Sequence, residues 1–348
     1  MPTRSAPLPS NTNARSGDAP ANLNPLPSAA ANTPASKPDV AMPDVQGTQD
    51  TREVAIDKVG VKDVTYPIRL RTPPALIAAG EPDHQSTVAK INMYVSLPRE
   101  KKGTHMSRFL EVLNEHDLAG GGLTPSDVGA VTKKIRLRLQ ASEAHFAASF
   151  TYFIKKLAPI TKQPGLMDYQ VAFECSSREE PPGSGVEVQD FIMAVKAPAK
   201  SLCPCSKEIS RYGAHNQRCL IEARVRFTGD LWIEELAKIL ESSASAEVFA
   251  VLKRPDEKYV TETAYDNPKF VEDIIRDLAL ALNRDERITW YHISSENFES
   301  IHNHNAYAEI TRDKRDGAGR CPEERSVLPG PAPSSPVSAP ASPPKARP

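Results

Sequence analysis

The stretch "QRCLIEARVRFT", residues 217–228, alternates apolar and polar side chains at nearly every second position. One side of this stretch is apolar and the other charged: Cys219, Ile221, Ala223, Val225 and Phe227 against Glu222, Arg224 and Arg226. A period of two predicts a β-strand with one buried and one polar face. The segment that follows, "DLWIEELAKILE" (230–241), has the period of an amphipathic helix. We therefore expect a sheet with helices packed on its apolar face.

The same order of elements occurs twice along the chain. In the first half we predict strands at 59–71, 88–98, 145–159 and 165–177, and helices near 106–113 and at 124–140, the second capped by Thr124. In the second half we predict strands at 184–196, 217–228, 248–253, 287–295 and 304–312, and helices at 230–241 and 267–284, the second capped by Asn267. Two strand-strand-helix-helix-strand-strand units predict an α+β fold with antiparallel sheets. Such sheets leave open edges, so we also expect an oligomer.

The composition excludes several classes of protein. The chain has 348 residues and a formal net charge of −1, which argues against a dedicated nucleic-acid-binding protein. No apolar run is long enough to span a membrane, and no secretory signal follows the N-terminus. Five cysteines are too few and too scattered for a disulfide framework. We therefore expect a cytoplasmic protein.

The two ends of the chain are rich in Pro, Ala and Ser and poor in aromatic and β-branched residues. Such segments bury too little apolar surface to fold, which predicts disordered tails. We divide the chain into a tail at 1–55, a first folded unit at 56–180, a second at 181–318 that carries most candidate site residues, and a tail at 319–348.

The segment "LCPCSKEISRYGAHNQR", residues 202–218, brings together Cys203, Cys205 and His215. The Cys-Pro-Cys spacing is not that of a zinc ribbon, and the lack of a second cysteine pair excludes a four-cysteine zinc site. A dithiol redox pair and a pair of buried small side chains remain alternatives. The polar, cationic surroundings favour a thiolate that binds metal or handles protons.

Other polar residues lie at comparable junctions between elements. His302 and His304 are two residues apart at a strand entrance, so their rings should point the same way, and His105 lies where a strand leads into a helix. Glu257 and Glu272 lie near helix starts, where a solvated acid is an equally simple interpretation.

Taken together, "SLCPCSKEIS", "YGAHNQR", "KRPDEKYVTE", "YDNPKFVED", "IHNHNAYAEI" and "KGTHMSRF" resemble the prokaryotic type IB GTP cyclohydrolase family over about residues 60–315. The resemblance implies a tandem tunnelling fold (T-fold), in which two ββααββ units join neighbouring subunits into a barrel, and a homotetramer. It implies conversion of GTP and water to 7,8-dihydroneopterin triphosphate and formate, the first step of tetrahydrofolate biosynthesis.

The resemblance also implies roles for individual residues. Cys203, His215 and Glu257 would hold a divalent metal (Mn, Fe or Zn) that lowers the pKa of water. Catalytic proton transfer would involve Cys203 or Cys205, with His302 and His304. Glu272 would bind the guanine N–H edge. The remaining substrate-binding candidates, for the triphosphate above all, are Lys207, Arg218, Arg108 and His105.

Two other functions fit parts of this pattern. A deazaguanine nitrile reductase shares the fold and uses a cysteine nucleophile with a nicotinamide cofactor, but its usual motif is missing. A non-catalytic metal-binding or interaction module would use the tails as its working parts. We expect GTP as the small-molecule partner and neither nucleic acid nor membrane.

Overall fold

The computed structural model describes residues 44–77, 82–116, 118 and 122–315. Apart from 44–55, the predicted tails at 1–55 and 319–348 lie outside the described residues, as does Cys321. The strands are β1 (Ile56–Arg71), β2 (His84–Leu97), β3 (Glu143–Leu157), β4 (Pro164–Glu179), β5 (Glu187–Leu202), β6 (Asn216–Phe227), β7 (Ala246–Glu247), β8 (Ile288–Asn297) and β9 (Ala306–Asp313). The α-helices are α1 (Ser107–Glu115), α2 (Pro125–Leu139), α3 (Pro204–Ile209), α4 (Ile233–Ser242), α5 (Arg254–Asp266) and α6 (Val271–Arg284), and a short 3-10 helix covers Pro74–Leu76.

The strands form one antiparallel sheet in the order β1-β2-β3-β4-β5-β6-β8-β9, with β7 paired to β5. The element order is β1-β2-α1-α2-β3-β4 in the first half and β5-β6-α4-α6-β8-β9 in the second, with α3, β7 and α5 added. The sheet continues across the two halves because β4 pairs with β5 from Gln170↔Lys196 to Glu179↔Glu187. The predicted α+β class with antiparallel strands is confirmed.

One continuous apolar core lies between the sheet and the helices and draws residues from both halves. Phe109 of α1, Ile135 of α2, Leu236 of α4 and Leu278 of α6 are all fully buried in it. Burying each such side chain contributes about 1.5–3 kcal/mol. The core therefore depends on the apolar stripes that the sequence pattern predicts.

The start of α2 follows the prediction. The Asp127 backbone N–H donates to Thr124 Oγ1 at 3.3 Å, and the Thr124 backbone N–H donates to Asp127 Oδ2 at 2.9 Å. These reciprocal bonds form a capping box, which satisfies amide groups that the first helical turn leaves open. Thr124 is thus the N-cap, as predicted.

The connection between α4 and α6 differs from the prediction. The strand predicted at 248–253 is wrong, because the strand β7 covers only Ala246–Glu247. The helix predicted at 267–284 is also wrong at its start, since α5 ends before Asn267 and α6 begins at Val271. Asn267 is the C-cap of α5, and its Nδ2 donates to the carbonyls of Ala244 and Ser245, both at 3.1 Å. Asn267 therefore ends α5 instead of beginning the next helix, because it forms tertiary bonds that the local sequence pattern does not reveal.

Residues 46–50 lie along the segment 100–103, although their composition resembles that of the tail. Asp50 N–H donates to the Glu100 carbonyl at 3.0 Å, and Lys102 N–H donates to the Thr48 carbonyl at 3.0 Å. The described fold therefore begins before residue 56. Within the described ranges, no helix is both long and apolar enough to cross a membrane.

Candidate active site

Cys203 and His215 lie at the two ends of the connection between β5 and β6. The Cys203 N–H donates to the His215 carbonyl at 3.2 Å, which places the residues side by side at the end of the strand pair. Ser206 joins them, because its Oγ donates to the Cys203 carbonyl and accepts from the His215 N–H, each at 3.1 Å. Cys203 is the N-cap of α3, and its half-buried Sγ accepts from the Ser206 N–H at 3.4 Å. One serine thus fixes both candidate metal ligands.

The ring of His215 is oriented by two further polar side chains. His215 Nδ1 lies 3.1 Å from Gln217 Oε1, and Gln217 Nε2 donates to Glu299 Oε1 at 3.1 Å. A carboxylate only accepts hydrogen bonds, so the Gln217 amide NH₂ must face Glu299 and its oxygen must face His215. In the neutral ring, His215 Nδ1 therefore carries the proton and Nε2 has the lone pair that a ligand can use.

The other two described cysteines differ from this pair. Cys175 and Cys219 are buried in the core, at 4% and 1% exposure. Burial raises the pKa of the Cys175 thiol to about 11 and that of the Cys219 thiol to about 12. A thiol with such a pKa stays protonated and inert near neutral pH. Cys205, by contrast, is exposed on α3.

The helix α3 is attached to the end of α5 through Lys207. Its ammonium donates to the Tyr265 carbonyl and lies 4.4 Å from the centre of the Tyr265 ring. The amino group proposed for triphosphate binding is therefore already engaged with α5. In the structure, Lys207 instead positions the helix α3, which carries Cys205.

Glu257 lies in the first turn of α5, next to a buried carboxylate. Asp256 accepts hydrogen bonds from the N–H groups of Ile160 and Thr161 at 2.8 Å, from Thr161 Oγ1 at 2.6 Å and from the Lys253 N–H at 2.9 Å. Burial would raise the pKa of Asp256, but these hydrogen bonds outweigh it and hold that pKa well below its ordinary value. Asp256 thus fastens α5 to the β3–β4 turn of the first half.

Glu257 itself is exposed, and the apolar face of its helix packs close to the cysteine segment. Val260 and Ala264 of α5 form a small buried cluster with Leu202, the residue before Cys203. Even so, the described residues contain no group of three or more His, Cys, Asp and Glu side chains close enough to hold a metal. The thiol of Cys203 and the free Nε2 of His215 are donors that suit a divalent metal. Glu257 is on the adjoining helix and is not gathered with them.

Glu272, Arg218, His302 and His304 lie at the same end of the sheet as Cys203. Glu272 is exposed in the first turn of α6, which is tied to β5 because the Lys269 N–H donates to the Leu202 carbonyl at 3.0 Å. Arg218 is exposed near the start of β6. The His302 and His304 rings are stacked, with centres 5.1 Å apart and planes 13° apart. The prediction that these two rings point the same way is confirmed, although they lie in the loop before β9.

His105 and Arg108 lie at the opposite end of the sheet. They follow the end of β2, which is level with the start of β3, whereas Cys203 follows the far end of β5. The 16 residues of β5 span roughly 50 Å. His105 Nε2 pairs with Asp44 Oδ1 at 3.1 Å, beside a cavity of about 290 Å³ that Arg108 and Lys101 also line. One chain does not bring His105 and Arg108 to Cys203.

Sequence reasoning did not identify Ser206, Gln217, Asp256 or Glu299 as parts of the site. The spacing of Gln217 two residues after His215 on a strand could have indicated it, because such side chains share a face. The "RPDE" segment could have indicated Asp256 as a cap. Glu299 comes from a different loop, and no local signal indicates its contact with Gln217.

Fold and site together define a class of protein. It is an α+β protein with one antiparallel sheet, and most of its candidate thiol, imidazole and carboxylate groups lie in the connections at one end of that sheet. Residues 42–308 match the family described as type I GTP cyclohydrolase FolE2. The chain belongs to that family, and the resemblance drawn from the motifs is confirmed.

Curated relatives agree with this assignment. The chain is 49% identical over 276 residues to the GTP cyclohydrolase FolE2 of Geobacter sulfurreducens, covering 79% of this chain and 99% of that protein. It is 51% identical over 272 residues to the FolE2 of Magnetococcus marinus, covering 78% and 96%. Among solved structures, a uricase from Bacillus fastidious aligns with a TM-score of 0.48 at 9% identity, covering 75% of this chain and 94% of that one.

Proposed function

We propose that this chain is a type I GTP cyclohydrolase that converts GTP and water to 7,8-dihydroneopterin triphosphate and formate, the first step of tetrahydrofolate biosynthesis. The observation that carries the proposal is the family match over residues 42–308, supported by relatives that are about half identical along nearly their whole length. The pairing of Cys203 with His215 supplies the thiol and imidazole that the chemistry needs. We place the reaction in the cytoplasm.

The reaction adds water at C8 of guanine, opens the imidazole ring and releases C8 as formate. Cys203, His215 and Glu257 are the proposed ligands of a divalent metal (Mn, Fe or Zn), whose chemistry is to lower the pKa of water towards neutrality. Gln217 and Glu299 orient the His215 ring and select the tautomer in which Nε2 carries the lone pair. Ser206 holds Cys203 and His215 side by side.

The remaining residues at this end of the sheet have proposed roles in proton transfer and binding. Cys205 is exposed next to Cys203, and the stacked rings of His302 and His304 offer nitrogens that can donate and accept protons. The carboxylate of Glu272 is suited to accept hydrogen bonds from the guanine N–H edge. Arg218 is a proposed ligand of the triphosphate.

We also propose a tandem T-fold whose subunits join edge to edge into a homo-oligomeric barrel, a tetramer by family resemblance. Within the described ranges, β1 and β9 each pair with a single neighbouring strand. The outer edge of β1 is bonded at Arg69, whose N–H donates to the Leu118 carbonyl, and the rest of that edge and the outer edge of β9 are available to another subunit. His105 and Arg108 lie at the far end of the sheet from Cys203. They can therefore meet the same substrate only if a second copy brings that end of its sheet to this site.

The activity is tested by incubating the purified full-length chain with GTP and Mn²⁺, Fe²⁺ or Zn²⁺ in turn. After oxidation, neopterin fluorescence should appear together with one formate per GTP consumed. A folded protein that yields neither product with any of the three metals contradicts the proposal. Light scattering under the same conditions tests the assembly, and a fully active monomer contradicts the shared site.

A further inference from the structure

Lys200 of β5 and Arg218 of β6 are direct partners in the sheet register. Residues directly opposite on neighbouring antiparallel strands point to the same face, with Cβ atoms about 4.5–5.5 Å apart. The adjacent pair, Ala199 and Cys219, points into the apolar core, so Lys200 and Arg218 are on the polar face. Two cations therefore lie side by side on the open face of the sheet.

Like charges in this arrangement are destabilising unless an anion lies between them. Among the described residues, neither Lys200 nor Arg218 has a carboxylate within ion-pair distance. Lys200 is also half-buried, and burial lowers the pKa of its ammonium group. An ammonium group that is partly removed from water and has no counter-ion is unfavourable in the empty protein.

Two nearby cations on the same face of the described sheet are each paired with a carboxylate. Lys196, four residues before Lys200 on β5, pairs with Glu222 at 3.0 Å. Arg224 pairs with Glu174 at 2.7 Å. The absence of a counter-ion is thus specific to the pair at the end of the sheet and is not a general property of this face.

That pair adjoins the candidate active site. Cys203 follows Lys200 by three residues, and His215 precedes Arg218 by three. Of the other lysines near this segment, Lys207 has its ammonium engaged with the Tyr265 carbonyl, and Lys269 pairs with Asp277 at 2.7 Å. A ligand that reaches Cys203 and carries several negative charges therefore finds, on the polar face of the described sheet, two cations without a carboxylate partner in Lys200 and Arg218.

We propose that Lys200 and Arg218 form an anion subsite that binds the triphosphate of the substrate. The inference rests on the proposed function, to which it adds Lys200 as a binding residue. The planar guanidinium of Arg218 binds two phosphate oxygens at once, and the Lys200 ammonium neutralises the adjoining phosphate as a point charge. Bound triphosphate also removes the repulsion between the two cations.

The test compares Lys200→Gln with a matched control, Lys196→Gln, in the full-length protein. Inorganic tripolyphosphate binding, measured by calorimetry, should weaken about tenfold in Lys200→Gln and stay within about twofold in Lys196→Gln. Tripolyphosphate should raise the Tm of the unaltered protein more than that of Lys200→Gln. Without anion, the Tm of Lys200→Gln should equal or exceed that of the unaltered protein, because the variant removes a repulsion.

Turnover and a phosphate-free probe separate this inference from the proposed function. In Lys200→Gln the KM for GTP should rise about tenfold with kcat nearly unchanged, while guanosine binding stays as in the unaltered protein. Equal tripolyphosphate affinity in Lys200→Gln, Lys196→Gln and the unaltered protein overturns the subsite, even if GTP is converted. Lost tripolyphosphate binding in Lys200→Gln, together with no GTP conversion by the unaltered protein, overturns the proposed function and leaves an anion site.

Discussion

The first and second halves of the sheet share an element order but differ in the connections between the elements. In the first half, residues 72–83 join β1 to β2, residues 116–124 join α1 to α2, and a turn at 158–163 joins β3 to β4. In the second half, the corresponding connections carry α3, β7 and α5, and a loop at 298–305. Cys203, His215, Glu257, His302 and His304 all lie in these second-half connections.

One buried charged group in the first half, Arg136, serves packing. Arg136 of α2 is 6% exposed, and it donates to Ser177 Oγ at 3.3 Å and to Glu179 Oε1 at 3.1 Å. Removing either partner would leave an uncompensated buried charge, and a guanidinium whose bonds are satisfied in this way leaves no group for a ligand. Both halves thus contribute to the core, whereas most of the proposed site residues lie in the second half.

Among variants that test this difference between the two halves, we expect the largest loss of activity from Cys203→Ala. Removing a proposed ligand should lower metal content and turnover together, by at least about a hundredfold, since even changes to residues behind a ligand cost 10–100-fold. Metal analysis and GTP conversion on the same sample measure both quantities. The matched control is Cys219→Ala in the core, which should cost roughly 1–2 kcal/mol of unfolding free energy and spare turnover.

Two outcomes of that experiment would change the assignment. Full metal content with a near-normal rate excludes Cys203 from the site. Retained metal with a collapsed rate makes Cys203 the proton-transfer group and Cys205 the ligand.

The next effect concerns Gln217→Ala, which removes the acceptor for His215 Nδ1. We expect metal affinity to fall about tenfold, because the ring loses its fixed tautomer and orientation. Long-range ¹H–¹⁵N NMR spectra should show the proton of His215 on Nδ1 in the unaltered protein and shared between both nitrogens in the variant. Gln170→Ala on β4, where the amide donates only to Thr151 Oγ1 at 3.3 Å, is the control and should change neither quantity.

A smaller effect is expected where the two halves are fastened together. Asp256→Asn loses a charged acceptor of several N–H groups, so Tm at pH 7 should fall by roughly 5 °C. Asp273→Asn is the control, since that carboxylate caps α6 by accepting from the Phe270 N–H at 3.0 Å. A fall no greater than that of the control contradicts the role assigned to Asp256.

The effect of Asp256 should also depend on pH in a defined direction. Hydrogen bonds hold its folded-state pKa below the unfolded value, so its stabilisation is complete above the unfolded pKa of about 3.9. As pH falls below that value, the difference in unfolding free energy between the unaltered protein and Asp256→Asn should shrink. A difference that stays constant down to pH 2 contradicts the lowered pKa.

The smallest effect is expected from removing sequence outside the family match. Deleting residues 1–41 should leave turnover within about twofold, because the family match begins at residue 42 and the segment is rich in Pro, Ala and Ser. Extending the deletion through residue 50 should lower Tm, since it removes the backbone bonds to 100–103. Equal Tm values for the two deletions contradict a structural role for residues 46–50.

The sequence by itself determined the strands and helices whose apolar period is long, the duplicated order, and the family through its combined motifs. Alternation in "QRCLIEARVRFT" indicates a strand because neighbouring side chains point to opposite faces, which is a local property. The Thr124 cap and the buried state of Cys219 follow from the same kind of local information.

Only the tertiary structure decided which distant residues meet. Glu299 reaches Gln217, and Asp256 reaches Thr161 in the other half, through contacts separated by 82 and 95 positions. The register that sets Lys200 opposite Arg218 depends on how β5 and β6 align along their whole length. The same holds for Asn267, whose side chain donates to the carbonyls of Ala244 and Ser245. Asn267 lies at the end of α5, where the local spacing predicted the start of the next helix. Such pairings follow from the packing of the whole sheet and its helices, and no short window of sequence contains them.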